Sequence, residues 1–148
     1  MMRTAHILAI TLALLVTGSS AFAADSTSQV IKRQAPKGIT ASFYTCVDKA
    51  GSDTTAQGVC LSAEKKTQDT RLNTTYKALT AKLTGKAKDN LLNAERAWLD
   101  FHNRNGDFEA SLYGDEPVAD LQVTQNEIFR LAERADALDK YLTIANDQ

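Results

Sequence analysis

The first apolar run of the chain, Ile7 to Val16, is interrupted only by Thr11 and has no polar face. A bilayer span takes about 20 apolar residues, so this run is too short for one. It sits behind Arg3, the only charged residue before Asp25. Small and polar residues at 17–20 then lead to Ala21-Phe22-Ala23, which offers the small side chains a signal peptidase needs on either side of Phe22. A cleaved signal peptide is therefore expected over residues 1–23, with Ala24 as the alternative end. A buried core helix is the competing reading, and it does not account for the basic terminus directly ahead of the run.

Past the cleavage site the pattern changes to helical periodicity. Residues 24–40 are polar, contain Pro36 and Gly38, show no sustained period and read as a flexible leader. A short helix is expected from Ala41 to Ala50, stopped by Gly51. Ser52 or Asp53 can cap the next helix, which runs to about Thr84 ahead of Gly85. Its stripe is Leu72, Tyr76, Leu79 and Leu83, at steps of four, three and four. A further helix is expected from about Lys86 to Arg104. It carries Leu91, Ala94, Trp98 and Phe101 on one face, with Trp98 as the core anchor.

Asn105-Gly106 and Tyr113-Gly114-Asp115-Glu116-Pro117 are turn chemistry and predict a loop with at most one helical turn. The last helix should run from Val118 or Asp120 to near Ala145, with Ile128, Leu131, Ala135, Leu138 and Leu142 at alternating steps of three and four. With almost no β-branched alternation, the expected fold is all-α. It is a small antiparallel bundle of three main helices plus a short N-terminal helix, forming one domain over residues 41–148.

Composition adds a compartment and a charge map. Cys46 and Cys60 are the only cysteines, and an even count in an exported chain reads as a disulfide more readily than as a metal site. Free buried thiols are the remaining alternative. Zinc would need further ligands, and the chain after residue 23 holds a single histidine, His102. No cysteine lies near the cleavage site for lipid attachment, so a periplasmic or secreted product without a lipid anchor is expected.

Lys and Arg total 17 against 18 Asp and Glu, but the signs are segregated. Lys65, Lys66, Arg71, Lys77, Lys82, Lys86 and Lys88 crowd the helix of 53–84 and its turn, with Asp69 the only acid among residues 65–88. Asp107, Glu109, Asp115, Glu116, Asp120 and Glu127 follow one another with no Lys or Arg between Asn105 and Phe129. A solvated acidic loop is the plain reading of that run, and a docking surface for a basic protein is the functional one. Nucleic-acid binding is excluded, because the basic stretch lacks stacking aromatics and the chain is exported.

Catalysis finds little support. His102 is expected as a boundary histidine making a hydrogen bond, no Ser-His-Asp or Cys-His set can be assembled, and a small bundle offers no cleft for a carboxylate pair. The chain is read as a non-enzyme without cofactor or metal. Asp69 and Asn73 lie one helical turn apart. They read chiefly as structural, with Asp69 pairing with Arg96 across the bundle or with neighbours of Arg71, and Asn73 bridging a helix crossing; a binding role is the alternative.

Three segments carry a resemblance. Cys60, then Asp69-Thr70-Arg71-Leu72-Asn73-Thr74-Thr75-Tyr76 and Leu79, resembles the C…D-x-x-L-N-x-x-Y-x-x-L signature of the domain named for the lysozyme inhibitor LprI. Leu91-x-x-Ala94-x-Arg96-x-Trp98-Leu99-x-Phe101 is similar to that family's second block, and Leu131-Ala132-Glu133-Arg134 to its closing L-T-x-x-R. Glu95 stands where the family usually has Gln, His102-Asn103 where it usually has Arg-Asp, and a second cysteine pair is missing.

The resemblance implies an exported binding protein that inhibits a lysozyme by occlusion. Lysozymes are commonly basic, so Asp107, Phe108, Glu109, Tyr113, Asp115 and Glu116 are the expected contact set, with aromatic anchors inside an acidic rim. Leu72, Tyr76, Trp98 and Arg134, with Asp69, Asn73 and Arg96, are the signature positions expected to be structural. The alternative is an envelope protein whose basic helix contacts peptidoglycan or anionic headgroups.

Overall fold

The computed structural model describes residues 25–147; the expected signal peptide lies outside them. Among these residues the order is α1 (Thr27–Lys32), α2 (Ala41–Ala50), α3 (Thr54–Lys82), α4 (Gly85–Tyr113) and α5 (Pro117–Asn146), with no strand. Local chemistry sets the ends. Thr40 accepts from the Phe43 N–H at 3.1 Å to start α2, and Asp53 accepts from the Ala56 N–H at 3.0 Å to start α3. Gly51 closes α2 at φ 55°, and Pro117 occupies the first turn of α5, where its missing N–H costs nothing.

The spine of the molecule is α3 packed along α5. Their contacts advance together along both chains: Gly58 faces Leu121, Lys65 pairs with Glu127, Arg71 with Asp136 and Thr75 with Asp139. The two helices therefore run parallel, and only α4 between them is antiparallel. Two apolar clusters fill the seam. Phe43, Val47, Cys60, Leu61 and Ile128 form one under α2, and Leu72, Leu79, Leu131, Ala135 and Leu138 form the other. The stripes expected on 72–83 and 128–142 supply the second cluster. The Cys46–Cys60 disulfide, with Cα atoms 5.7 Å apart, ties α2 to α3 beside the first.

Two expectations need correction. The polar stretch read as a flexible leader is tied to the bundle from Ser26 onward. Ser26 and Gln29 form a reciprocal capping box on α1, and the Ser28 N–H and hydroxyl donate to the Asp48 carboxylate at 2.8 and 2.6 Å. Ile31 and Ile39 pack on the first cluster. The connector docks through its backbone: the Gly38 carbonyl accepts from Gln68 Nε2 at 2.8 Å, and the Thr40 N–H donates to Glu64 Oε1 at 3.0 Å. Glu64 and Gln68 are buried polar groups on α3, and a buried polar group needs a partner. Residues 38–40 are that partner.

The second correction concerns α4, which does not stop at Arg104 but continues through Asn105-Gly106 to Tyr113. Its inward face also differs from the expected stripe. Leu91 and Trp98 do pack against the second cluster, but Phe101 is 55% exposed and Ala94 is exposed. The buried residues of α4 are Glu95 and His102. Seven-residue spacing continues this row to Glu109, and charged residues of α5 meet it.

Candidate functional site

Because α4 seats on α5 rather than on α3, a groove opens between α3 and α4 with α5 as its floor. It encloses about 340 Å³. Leu72, Leu131 and Trp98 make the base apolar, while Asp69 and Asn73 on α3 face Arg96 and Asn103 on α4 across the rim. A second lobe of about 330 Å³ continues towards Gly106 and Arg130, and the two lobes share His102, Asn103 and Glu127.

The polar row of α4 defines the electrostatics of the floor. Glu95 Oε2 accepts from Arg134 Nε at 2.9 Å and Nη2 at 2.7 Å, with only 8% and 14% of the two side chains exposed. Arg134 also lies 5.9 Å from the Trp98 ring centroid, within cation–π range. Glu109 takes both carboxylate oxygens to Arg130 Nη1 at 2.8 Å. Glu127 joins the helices by pairing with Lys65 of α3 at 2.8 Å and lying 3.5 Å from His102 Nε2.

His102 stacks on Trp98 with ring centroids 4.9 Å apart. Burial, with the Arg130 cation nearby, lowers its pKa below the ordinary 6.5 despite the opposing Glu127 carboxylate. The imidazole is therefore neutral at pH 7. Glu127 beside Nε2 favours the tautomer carrying its proton there, which leaves Nδ1 an acceptor. Among the described residues, Glu95 Oε1, His102 Nδ1 and the Nε and Nη2 of Arg130 are buried without a hydrogen-bond partner. Among the described residues no group of His, Cys, Asp or Glu is arranged to hold a metal ion.

The other feature is the end of the bundle where α4 passes into α5. The contact set expected on an acidic loop lies mostly on a helix: Asp107, Phe108, Glu109 and Tyr113 belong to α4, and only Asp115 and Glu116 lie in the connector. Glu109 is turned inward by its ion pair with Arg130. Phe108, Leu112 and Tyr113 are 59%, 66% and 45% exposed, and Val118 at the start of α5 is 67% exposed. Phe108 and Leu112, four residues apart, adjoin on one face. Asp107, Asp115, Glu116 and Asp120 are exposed around them.

The family model described as lysozyme inhibitor LprI matches residues 46–138. The chain belongs to the LprI family. Comparison with curated proteins and with solved structures gives no match. The LprI match spans both cysteines, the whole of α3 and α4 and most of α5, so the groove and the bundle end both lie within it.

The structure divides the LprI signature positions into two groups. Leu72 is buried, Tyr76 and Trp98 pack on the second cluster, and Arg134 is held by Glu95, so these four build the interior. Asp69, Asn73 and Arg96 are exposed on the groove rim. The pair expected between Asp69 and Arg96 does not form, and Asn73 donates to the Asp69 carbonyl of its own helix at 2.9 Å instead of bridging a crossing. The reason is the splay of α3 from α4, which leaves a gap where a crossing was expected. Sequence reasoning noted Glu95 only as a departure from the family pattern and Glu127 only as part of the acidic run, and did not single out Arg130; the seven-residue spacing of Glu95, His102 and Glu109 is the signal that marks this polar row.

Proposed function

We propose that the chain is an exported lysozyme inhibitor that acts by occlusion, without chemistry of its own, through the end of the bundle where α4 meets α5. Membership of the LprI family supports the activity. The observation that carries the choice of surface is the grouping of exposed Phe108, Leu112, Tyr113 and Val118 with exposed Asp107, Asp115, Glu116 and Asp120. Apolar anchors supply contact area, and carboxylates around them draw in and orient a basic partner. The disulfide holds the nearby α2–α3 end rigid, which keeps the ordering cost of binding low.

The test is lysozyme lysis with and without the purified protein, followed by association kinetics. Inhibition at micromolar concentration or below is expected. Asp115→Asn with Glu116→Gln should slow association and flatten its dependence on salt, because rim charges act mainly on encounter. Phe108→Ala should speed dissociation. Inhibition with kinetics indifferent to all three changes sinks the assignment of the surface, and no inhibition sinks the activity.

The reading as an envelope protein rests on the basic stretch, which the structure thins. Lys65 pairs with Glu127 and Arg71 with Asp136 and Asp139, whereas Lys66, Lys77, Lys82, Lys86 and Lys88 are exposed. Retention on peptidoglycan without lysozyme inhibition would favour it.

A further inference from the structure

At the end of the bundle opposite Phe108 and Val118, where α3 turns into α4 beside the last turns of α5, the second apolar cluster is not fully covered. Leu79, Leu83, Ala87 and Leu91 line a hollow of about 280 Å³ there with Tyr141 and Ile144 of α5. No charged side chain lines it. Tyr141 and Ile144 are 47% and 48% exposed and Ala87 is exposed, so apolar surface reaches solvent.

Positive charge surrounds this hollow. Lys82 precedes Leu83, Lys86 and Lys88 flank Ala87, and Lys140 precedes Tyr141. All four lysines are exposed, and among the described residues none of them makes an ion pair. Of the acids nearby, Asp139 is tied to Arg71 and Glu95 to Arg134, which leaves exposed Asp89 and Asp147 against the four lysines. A soluble anion satisfies the lysines but leaves Tyr141 and Ile144 in water, and an apolar molecule does the reverse. A bilayer with anionic headgroups meets both demands. Lysine stems lie along apolar surface while their ammonium groups stay at headgroup level, and tyrosine and aliphatic side chains enter the boundary beneath.

We infer that this end of the bundle docks peripherally on an anionic lipid bilayer. The inference builds on the envelope reading, moving it from the basic stretch of α3 to one end of the molecule and from wall polymer to lipid, and it is independent of lysozyme inhibition. About 40 Å of α5 separates Ile144 from Val118, so a chain docked in this way holds its acidic, aromatic end away from the lipid.

Co-sedimentation of the purified protein with vesicles of phosphatidylglycerol and phosphatidylcholine in equal parts tests it. Retention is expected at low salt, with release at high salt and none on phosphatidylcholine alone. Lys82→Gln, Lys86→Gln and Lys88→Gln together should weaken partitioning about a hundredfold, at ~1 kcal/mol for each basic residue near an anionic surface. Ile144→Gln leaves the charge unchanged and should weaken it about tenfold through the lost apolar contact. These side chains are exposed, so both variants should keep the parent's melting curve. The Asp115→Asn, Glu116→Gln protein should partition like the parent. Three results would overturn the inference: no retention on the mixed vesicles, even with retention on peptidoglycan; partitioning unaffected by Ile144→Gln, which marks a site for soluble polyanions; or self-association of the parent without lipid that Ile144→Gln abolishes, which marks a second copy as the occupant.

Discussion

Arg134 closes one signature block and Glu95 sits inside another, 39 residues apart, yet they meet in the interior with both guanidinium N–H groups on one carboxylate oxygen. Removing one partner of a buried ion pair leaves a charge stranded and typically costs about 3–5 kcal/mol. Glu95→Leu should fall in that range, because Arg134, with 14% of its side chain exposed, has little water to turn to. Glu95→Gln keeps an acceptor but exchanges a charge-assisted bond for a neutral one and leaves the cation uncompensated, so about 2 kcal/mol is expected. Arg134→Leu strands the carboxylate instead and also removes the cation over Trp98, again about 3–5 kcal/mol.

Joining the two leucine substitutions should return the protein to within about 1 kcal/mol of the parent, since an apolar pair of similar volume often replaces a buried ion pair without loss. The coupling energy of the cycle should therefore be at least ~5 kcal/mol. Urea unfolding followed by circular dichroism measures it, and a midpoint shift at constant slope identifies a stability change. The losses would be large against the 5–15 kcal/mol typical of a whole domain. Single substitutions that each cost under ~1 kcal/mol, with a double variant equal to their sum, would show that the pair behaves as a solvent-exposed one and refute the reasoning.

Other outcomes follow from the same structure. Gly38→Ala should destabilise by about 1–3 kcal/mol in a thermal melt, because φ there is +87° and an added Cβ would fall 2.1 Å from Arg71 Nη1; a neutral result would mean that the connector is not docked. Replacing both cysteines with alanine should cost about 3 kcal/mol, the chain-entropy value for a bridge spanning a separation of 14 residues, and urea unfolding of the variant checks it. The lowered His102 pKa means that the unfolded chain binds more protons below its ordinary 6.5. The stability contributed by the neutral imidazole is thus complete above about pH 6.5 and is lost as pH falls from there towards the folded value. Melting temperatures between pH 7 and pH 5 should show this slope, and His102→Gln should flatten it.

How much was legible in the sequence can be seen from particular elements. Helices α2, α3 and α5 were readable because their signals are local: Asp53 can cap α3, Gly51 ends α2, and the stripes of α3 and α5 recur at three and four residues. Apolar residues recurring at that spacing on a helix with mostly polar neighbours have one way to leave water, so Leu72, Leu79, Leu131 and Leu138 had to form a core. The disulfide was readable from the cysteine count and the expected compartment.

The tertiary structure decided everything that depends on which face meets which neighbour. Asn105-Gly106 carries turn chemistry, but the helical backbone continues there, and Arg130 meets Glu109 beyond it. Phe101 lost its expected place in the core to Glu95 and His102, since α5 presents Arg134 to α4, where the buried cation must face a carboxylate, and Glu127 beside the His102 imidazole. The leader became part of the bundle because Glu64 and Gln68 needed backbone partners. The groove, finally, is a gap between two helices. Periodicity along one chain fixes which residues leave water, but the distance between α3 and α4 is set by how both pack on α5.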